Sequence, residues 1–188
     1  MISSGFDQWA PTYDHSALQP AYRAAHAAVL REARRLVGTP ARILDVGCGT
    51  GRLLDLAARV YPGAVLVGVD VSRRMLAIAG ASGPELLAVQ AAAEAMPFAD
   101  GGFDLVVSTA SVPHWTDPRA GMRELARVLA PGGLLALADL GRGTRLVDAA
   151  LDSSGLRRVG RRTTDGFGPV DAITVVLARR RARRFSWR

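Results

Sequence analysis

The chain is poor in several residue types, and each shortage narrows what it can be. Cys48 is the single cysteine among 188 residues, which excludes an internal disulfide. No apolar run reaches the roughly 18 residues that a membrane-spanning helix needs. The N-terminal MISSGFDQWAP has no basic region followed by an apolar core, so we expect no signal peptide. No His/Cys cluster indicates a metal site. We therefore expect one cytoplasmic domain, no membrane association and no metal.

Lysine is missing altogether, so the 24 basic residues are all arginine, and with 17 acidic residues they give a net charge of +7. Such a charge is typical of proteins that bind nucleic acid or anionic membranes. Arginine and alanine enrichment through GC-rich codon usage is the simpler explanation, and we favour it. The cluster at 179–184 follows the last apolar run and predicts a basic tail over 180–188. Contact of that tail with RNA or acidic lipid is the alternative.

The most informative segment is 41–51, ARILDVGCGTG. Its apolar, acid-ending run is typical of a buried parallel strand, and RLLDLAA begins a helix directly after it. Between them stand Gly47, Gly49 and Gly51. A glycine-rich turn between a strand and a helix lets the backbone pass close to a ligand. The segment therefore predicts a site for a nucleotide-like cofactor.

The spacing of the glycines narrows the cofactor class. A dinucleotide fingerprint reads G-x-G-x-x-G/A, but here the third glycine falls two positions after the second and Arg52 follows it. An NAD-dependent reductase is therefore disfavoured. A second strand, AVLVGVD, ends in Asp70, which lies 19 residues after Gly51 (70 − 51). An acid at that distance suits a ribose, whose two hydroxyls meet two carboxylate oxygens.

Five blocks in order resemble the motifs of the class I S-adenosylmethionine-dependent methyltransferases, type 11 family. LDVGCGTGRLL resembles the first motif and GVDVSRRML the second, while AEAMPFADGGFDLVVS resembles the third and fourth and RELARVLAPGGLLALAD the fifth. FDQWAPTYD resembles the usual opening of the family. The resemblance covers most of the chain. It implies S-adenosylmethionine as methyl donor and S-adenosylhomocysteine as product.

Alternating strands and helices predict an α/β fold, a Rossmann-like, doubly wound sheet. The family resemblance implies seven mostly parallel strands with the last one antiparallel. We expect a helical cap over 1–40, a methyltransferase core over 41–179 and the basic tail. The residue patterns predict strands at 41–46, 64–69, 86–90, 103–108, 134–138, 156–164 and 172–178, and helices over 16–37, 52–60, 73–79, 118–129 and 144–153. A Pro131-Gly132-Gly133 turn precedes the fifth strand, and Gly166-Phe167-Gly168 turns the final hairpin.

The carboxyl ends of the strands predict where the cofactor binds. Asp70 is the ribose acceptor in this interpretation, although capping of the next helix is its structural alternative. Gly51 suits tight packing, and Met75 suits the core as well as an adenine wall, with Met96 as a candidate for the opposite wall. The predicted cofactor-binding residues are Tyr13, Asp45, Gly47, Cys48, Gly49, Asp70, Val71, Met75, Ala92, Ala93, Glu94 and Ser108. Phe6 and Trp9 belong to the same N-terminal cover as Tyr13, with a hydrophobic staple as the alternative for Trp9.

One position departs from the family pattern. Ala92 stands where relatives often have an aspartate that accepts from the adenine amino group. Backbone groups of Ala93 and Glu94 remain available to the adenine edge. Because a hydrogen bond to a neutral donor contributes roughly 0.5–1.5 kcal/mol, we expect weaker but retained cofactor binding.

The segment STASVPHW after the fourth strand is where the family meets its acceptor. His114 is our candidate general base, since its ordinary pKa lies near neutrality; a merely lining histidine is the alternative. The segment lacks the Asn/Asp-Pro-Pro-aromatic block that accompanies methylation of exocyclic amines in nucleic acids. We therefore expect a small-molecule acceptor, methylated on O, N or C, and no nucleic-acid partner.

Two other readings stay open. The chain could bind the cofactor without useful catalysis and act through a partner, because Ala92 departs from the motif and 139–144 leave little room for a substrate-covering insertion. It could also modify RNA, steered by the basic tail. A homodimer is left open, and neither the acceptor nor the methylated atom follows from the sequence.

Overall fold

A computed structural model describes residues 3–81, 86–140, 142–164 and 172–181. Seven strands form one sheet in the order β3-β2-β1-β4-β5-β7-β6. β7 runs antiparallel to both of its neighbours, whereas the other pairings are parallel. The strands are β1 Arg42–Val46, β2 Val65–Asp70, β3 Leu86–Gln90, β4 Phe103–Thr109, β5 Leu129–Leu140, β6 Arg157–Thr164 and β7 Ile173–Arg179. The predicted Rossmann-like α/β fold with an antiparallel last strand is confirmed.

Six α-helices connect or cover these strands. They are α1 Ser3–Tyr13, α2 Gln19–Arg34, α3 Arg52–Val60, α4 Arg73–Ala81, α5 Pro118–Val128 and α6 Arg142–Leu151, with a 3-10 turn at Val112–His114. Two of their predicted starts are confirmed in detail. Ser72 Oγ accepts from Met75 N at 3.1 Å, and Asp117 caps α5 by accepting from Arg119 N and Ala120 N, with Pro118 in the first turn.

The hydrophobic core lies on both faces of the sheet because the central strands are buried on both sides. Ile43 and Leu105 belong to the cluster under α2 and α3, and their strand neighbours Leu44 and Val106 belong to the cluster under α5 and α6. This alternation follows from the two-residue period of a strand. The carboxyl ends of the strands thus stay free of core packing and can carry a site.

The start of β5 differs from the prediction. Pro131-Gly132-Gly133, predicted as a turn, lies inside β5, which begins at Leu129. Gly132 keeps a left-handed φ of 82°, and the pairing with β4 shifts register between Phe103 and Leu105. The glycine therefore forms an irregularity within a long strand, because Gly132 N still bonds to Arg180 O.

The first two arginines of the basic cluster bind the main chain. The Arg179 guanidinium donates to Gly132 O at 2.7 Å, and that of Arg180 donates to Arg127 O at 2.8 Å. Both side chains thus bind the main chain around β5 instead of lying in solvent. Residues 182–188, and the predicted Gly166-Phe167-Gly168 turn, lie outside the described residues. In the part that is described, no helix is long and apolar enough to cross a membrane.

Helix α1, which the residue patterns did not delimit, is held by one carboxylate near its middle and one directly after its last residue. Asp7 accepts from Ser72 Oγ at 2.6 Å and from Arg74 N at 3.2 Å, at the start of α4. Asp14 accepts from Thr50 Oγ1 at 2.8 Å and pairs with Arg52, at the start of α3. Helix N-termini attract negative charge, so both contacts stabilise the position of α1 over the carboxyl ends of β1 and β2.

Candidate functional site

A cavity that opens to solvent lies between α1 and the carboxyl ends of β1, β2 and β4. Residues from six parts of the chain line it, as expected for the crevice of an open α/β sheet. Ten of the residues predicted for the site are brought together there: Tyr13, Gly47, Gly49, Asp70, Val71, Met75, Ala92, Ala93, Glu94 and His114. Phe6 and Trp9 join them.

The glycine-rich turn forms the floor of the cavity. Gly47 and Gly49 have φ values of 75° and 53°, which side-chain-bearing residues rarely adopt. A Cβ on Gly47 would lie 2.0 Å from Ser111 Oγ, so the turn after β4 packs directly on the glycine backbone. Gly47 N and Cys48 N both donate to Val69 O, at 2.8 and 3.0 Å. The floor is therefore pinned to β2 and offers bare backbone to a ligand.

Asp70 ends β2 at the edge of the cavity and links two of its walls. Its Oδ2 accepts from Gly49 N at 2.9 Å and its Oδ1 accepts from Ser72 N at 2.8 Å. Each carboxylate oxygen has a second lone pair, so both retain capacity for a ligand hydroxyl. Burial raises the pKa of Asp70, against the opposing effect of the hydrogen bonds from backbone N–H groups. The two interpretations offered for Asp70, ligand acceptor and helix cap, are thus geometrically compatible.

Three predicted site residues do not line the cavity. Asp45 is 1% exposed within β1, and its Oδ1 has no hydrogen-bond partner in the described part of the chain. Cys48 points away from the cavity, because its Sγ lies against Gly68 in the core under α3. Ser108 Oγ donates to Val46 O at 2.6 Å between the strands. Met96, the candidate adenine wall, lies instead in the cluster under α5.

Asp45 is nevertheless electrostatically tied to the site. Burial, and then the charge of Asp70, raise its pKa from 3.8 to about 8. A carboxyl group without a partner is costly to bury, and it stays protonated because ionisation would cost more. A protonated carboxyl group without a described partner for its Oδ1 therefore lies in β1, two residues before Gly47.

Aromatic rings form the roof. Phe6, Trp9 and Tyr13 lie three and four residues apart on α1, so they share one helix face. Trp9 and Tyr13 meet edge to face at 4.7 Å, and Tyr13 stacks on Tyr22 of α2 at 5.8 Å. Burial raises the pKa of Tyr13, which stays protonated. Tyr22 was not predicted for the site, because its helical spacing gave no reason to separate it from core-facing neighbours.

The turn after β4 forms the remaining wall. Ala110 has a φ of 49°, and this left-handed residue carries the chain from β4 down onto Gly47. Ser111 Oγ accepts from Trp115 Nε1 at 2.9 Å, and the Trp115 ring packs where Gly121 leaves room for it. His114 meets Phe6 edge-on at 5.1 Å. Burial lowers the pKa of His114, so its ring is neutral at pH 7 and can accept a proton.

The fourth side is the segment after β3. Ala92 and Ala95 form an isolated antiparallel bridge, which folds the segment into a tight turn beside the cavity. Glu94 Oε1 accepts from Asp117 N at 3.0 Å and ties this turn to the start of α5. Ala92 offers no polar side chain. Among the described residues, no group of three His, Cys, Asp or Glu side chains could hold a metal ion.

Comparison with known proteins was made on the sequence and on the fold. Residues 44–137 match the type 11 family described as Methyltransferase domain. The chain is 38% identical over 191 residues to malonyl-[acyl-carrier protein] O-methyltransferase of Geobacter sulfurreducens, a match that covers 95% of this chain and 68% of that protein. It is 39% identical over 137 residues to demethylmenaquinone methyltransferase of Chlorobaculum parvum, covering 70% of this chain and 56% of that protein.

The fold matches solved structures at lower identity. The N-methyltransferase NodS of Bradyrhizobium japonicum, solved with S-adenosylhomocysteine, superposes with a TM-score of 0.81. The two chains are 19% identical, and the match covers 95% of this chain and 98% of that one. At that identity the match shows the shared fold alone.

Proposed function

Because the chain belongs to the type 11 family of class I S-adenosylmethionine-dependent methyltransferases, we propose that it methylates a small molecule in the cavity beneath α1. The enzyme class and the donor follow from the family. The acceptor is the proposed part. The chain spans 68% and 56% of the lengths of the two relatives named above, and their acceptors are not transferred to it.

The observation that carries the proposal is how well the cavity suits the donor. The bare backbone of Gly49, where an added Cβ would meet only Tyr13 at 3.9 Å, leaves room for the amino acid portion and the ribose, while Gly47 lets the Ser111 turn close the far wall. Asp70 keeps free lone pairs at the rim for the ribose hydroxyls, and Val71 and Met75 offer apolar contact for a flat base.

The remaining walls of the cavity are the ones proposed to hold the methyl acceptor and take up its proton. When bound, the donor offers a methyl group on a sulfonium, already activated for displacement by a nucleophile. Alignment of the nucleophile and exclusion of water then contribute much of the acceleration. The α1 rings exclude water, the Ala110–Ser111 turn fixes the far wall, and neutral His114 is the proposed base for the acceptor's proton.

Calorimetric titration of the purified protein with S-adenosylmethionine and with S-adenosylhomocysteine tests the donor half, with NADH as control. We expect micromolar binding of the first two and none of NADH. Absence of binding by both would sink the proposal and leave only the shared ancestry of the fold.

The role of His114 is tested separately by replacing it with Gln and Ala. Because its pKa is lowered, wild-type kcat/KM should stay constant from pH 8 down past the ordinary histidine range and fall only below it. Loss of that acid limb in both variants, with unchanged donor affinity, supports the base. An unaltered pH profile would mean that His114 only lines the cavity and does not act as a base.

A second candidate function is donor binding without turnover, in the service of a partner. It is favoured by Ala92 and by the connection between β5 and α6, which end and begin at Leu140 and Arg142 and so leave one residue between them. Single-turnover assays across acceptor classes distinguish the two. Formation of S-adenosylhomocysteine that depends on an added acceptor favours catalysis.

A further inference from the structure

Among the described residues, the charged side chains that line the cavity are all acidic. Asp70 and Glu94 line it, and within the described part of the chain no arginine does, although the sequence has 24. Both acids hold backbone N–H groups, Asp70 those of Gly49 and Ser72 and Glu94 that of Asp117, so neither is neutralised by a cationic side chain.

Aromatic side chains are concentrated at the same place. The sequence has 11 residues of the types Trp, Tyr and Phe, and five of them line the cavity: Phe6, Trp9, Tyr13, Tyr22 and Trp115. They are held by one another and by fixed partners, as the Trp9–Tyr13–Tyr22 contacts and the Trp115–Ser111 hydrogen bond show. A preorganised set of rings with no arginine among the described lining residues is an arrangement that binds alkylammonium groups through cation–π contact.

The summed charge of the donor and the cavity lining also favours a cationic acceptor. The donor carries a net charge of +1, from its sulfonium, ammonium and carboxylate groups. Set against the two carboxylates of the lining, it leaves one negative charge uncompensated. A carboxylate or phosphate on the acceptor would enlarge that excess in a buried site and have no arginine to pair with. An ammonium group would cancel it.

We propose that the acceptor of this enzyme is an amine, recognised as its ammonium form by the aromatic rings of α1, Tyr22 and Trp115. The inference rests on the proposed function and adds the class of substrate. It disfavours acceptors that carry a free acid group next to the atom that is methylated.

Methyl transfer to an amine conserves atoms and charge, as follows from its individual bond changes. The ammonium loses one proton to a ring nitrogen of His114, which passes it to solvent, and the freed lone pair attacks the methyl carbon. The N–C bond forms while the C–S bond breaks, and its electron pair stays on sulfur. Positive charge thus moves from sulfur to the nitrogen, next to the rings that stabilise it. With a hydroxyl acceptor the positive charge would instead disappear, and the rings would have no cation to stabilise.

The test is calorimetry on protein saturated with S-adenosylhomocysteine, so that nothing can react. Matched probes share a skeleton and differ in the end group: phenethylamine, 2-phenylethanol and 3-phenylpropionate, with the corresponding propyl and indolylethyl sets for size. We expect an amine to bind at least about tenfold more tightly than its alcohol, and the acid to bind least. An alcohol or acid that binds best, or no amine that binds in any set, overturns the inference. Failure to bind S-adenosylhomocysteine would instead refute the proposed function.

Ring variants separate charge recognition from simple apolar contact. Trp9→Leu should weaken amine binding about 5-fold to 30-fold and alter alcohol binding much less, while Trp9→Phe restores most of the affinity. Phe98→Leu, an aromatic change outside the cavity, is the matched control and should leave all probes unaffected. Equal losses for amine and alcohol in Trp9→Leu would show that the rings act only as apolar walls, and would overturn the inference.

Discussion

Replacing Asp45 by asparagine should stabilise the ligand-free protein, although it alters a residue of the glycine motif. The carboxyl group is fully buried in β1, its Oδ1 has no described partner, and its pKa is raised to about 8. Between about pH 4 and pH 8 the unfolded chain ionises this group while the folded chain keeps it protonated. Folding is therefore progressively disfavoured as the pH rises, because the unfolded state gains the charged form.

The size of the effect follows from the two pKa values. One pKa unit corresponds to 1.36 kcal/mol, so the rise from 3.8 to about 8 removes roughly 5 to 6 kcal/mol of stability by pH 8 and above. Asparagine does not titrate, but its amide stays buried with the same shortage of partners, which costs about 1–3 kcal/mol. We expect Asp45→Asn to be about 3 kcal/mol more stable than wild type at pH 8. Near pH 4 this contribution of ionisation is absent, so the amide cost alone should leave Asp45→Asn about 1–3 kcal/mol less stable than wild type.

Urea denaturation of both proteins at pH 5, 6, 7 and 8 measures this difference. Asp152→Asn, an exposed change on the same chain, is the control and should track wild type throughout. An Asp45→Asn variant that is less stable than wild type at pH 8, with a parallel pH dependence, would refute the reasoning. It would mean that the carboxyl group is ionised and paired in the folded protein.

Three further outcomes can be checked with the same preparations. Asp70→Ala should weaken S-adenosylmethionine binding by roughly 1.5–3 kcal/mol in calorimetry, and lower the unfolding free energy because Gly49 N and Ser72 N lose their acceptor; wild-type affinity would remove Asp70 from the ribose. Ala92→Asp should tighten donor binding by about 0.5–1.5 kcal/mol, and no change would mean that adenine is held elsewhere. Ala110→Gly should match or exceed wild-type stability by up to about 1 kcal/mol in urea, whereas Ala110→Val should lose more than that, since only glycine adopts a φ of 49° freely.

The sequence predicted the central strands and the glycine turn well because local rules and tertiary packing agree there. Strands such as Leu86–Gln90 are reproduced residue for residue, and helices α4 and α5 begin at Arg73 and Pro118, as the patterns predicted. The sequence was a poorer guide to which side chains of these motifs face the cavity. Asp45, Cys48 and Ser108 share the motifs with lining residues, but strand alternation and packing on Gly68 turn them away from the cavity.

The N-terminal helix shows why the rest could not be predicted. α1 is short, contains Pro11, and has no acidic residue in its first turn, so local signals for it are weak. Its apolar side faces a cavity, and its position depends on Asp7 and Asp14 reaching residues more than 30 positions away. Tyr22 is part of the site only because α1 brings Tyr13 onto it. Such long-range contacts leave no periodic trace in the chain.

The burial of Cys48 makes its alkylation rate a measure of how often the glycine turn opens. Its thiol, the only one in the sequence, is 7% exposed against Gly68, and burial raises its pKa, so the reactive thiolate is scarce. An alkylating reagent can label it only in molecules whose glycine turn has lifted away from β2. The labelling rate therefore counts opening events of the donor floor, with no fluorophore or substitution added. A donor held at 100 times its dissociation constant should slow the labelling about 100-fold, so that its affinity can be measured by mass spectrometry alone.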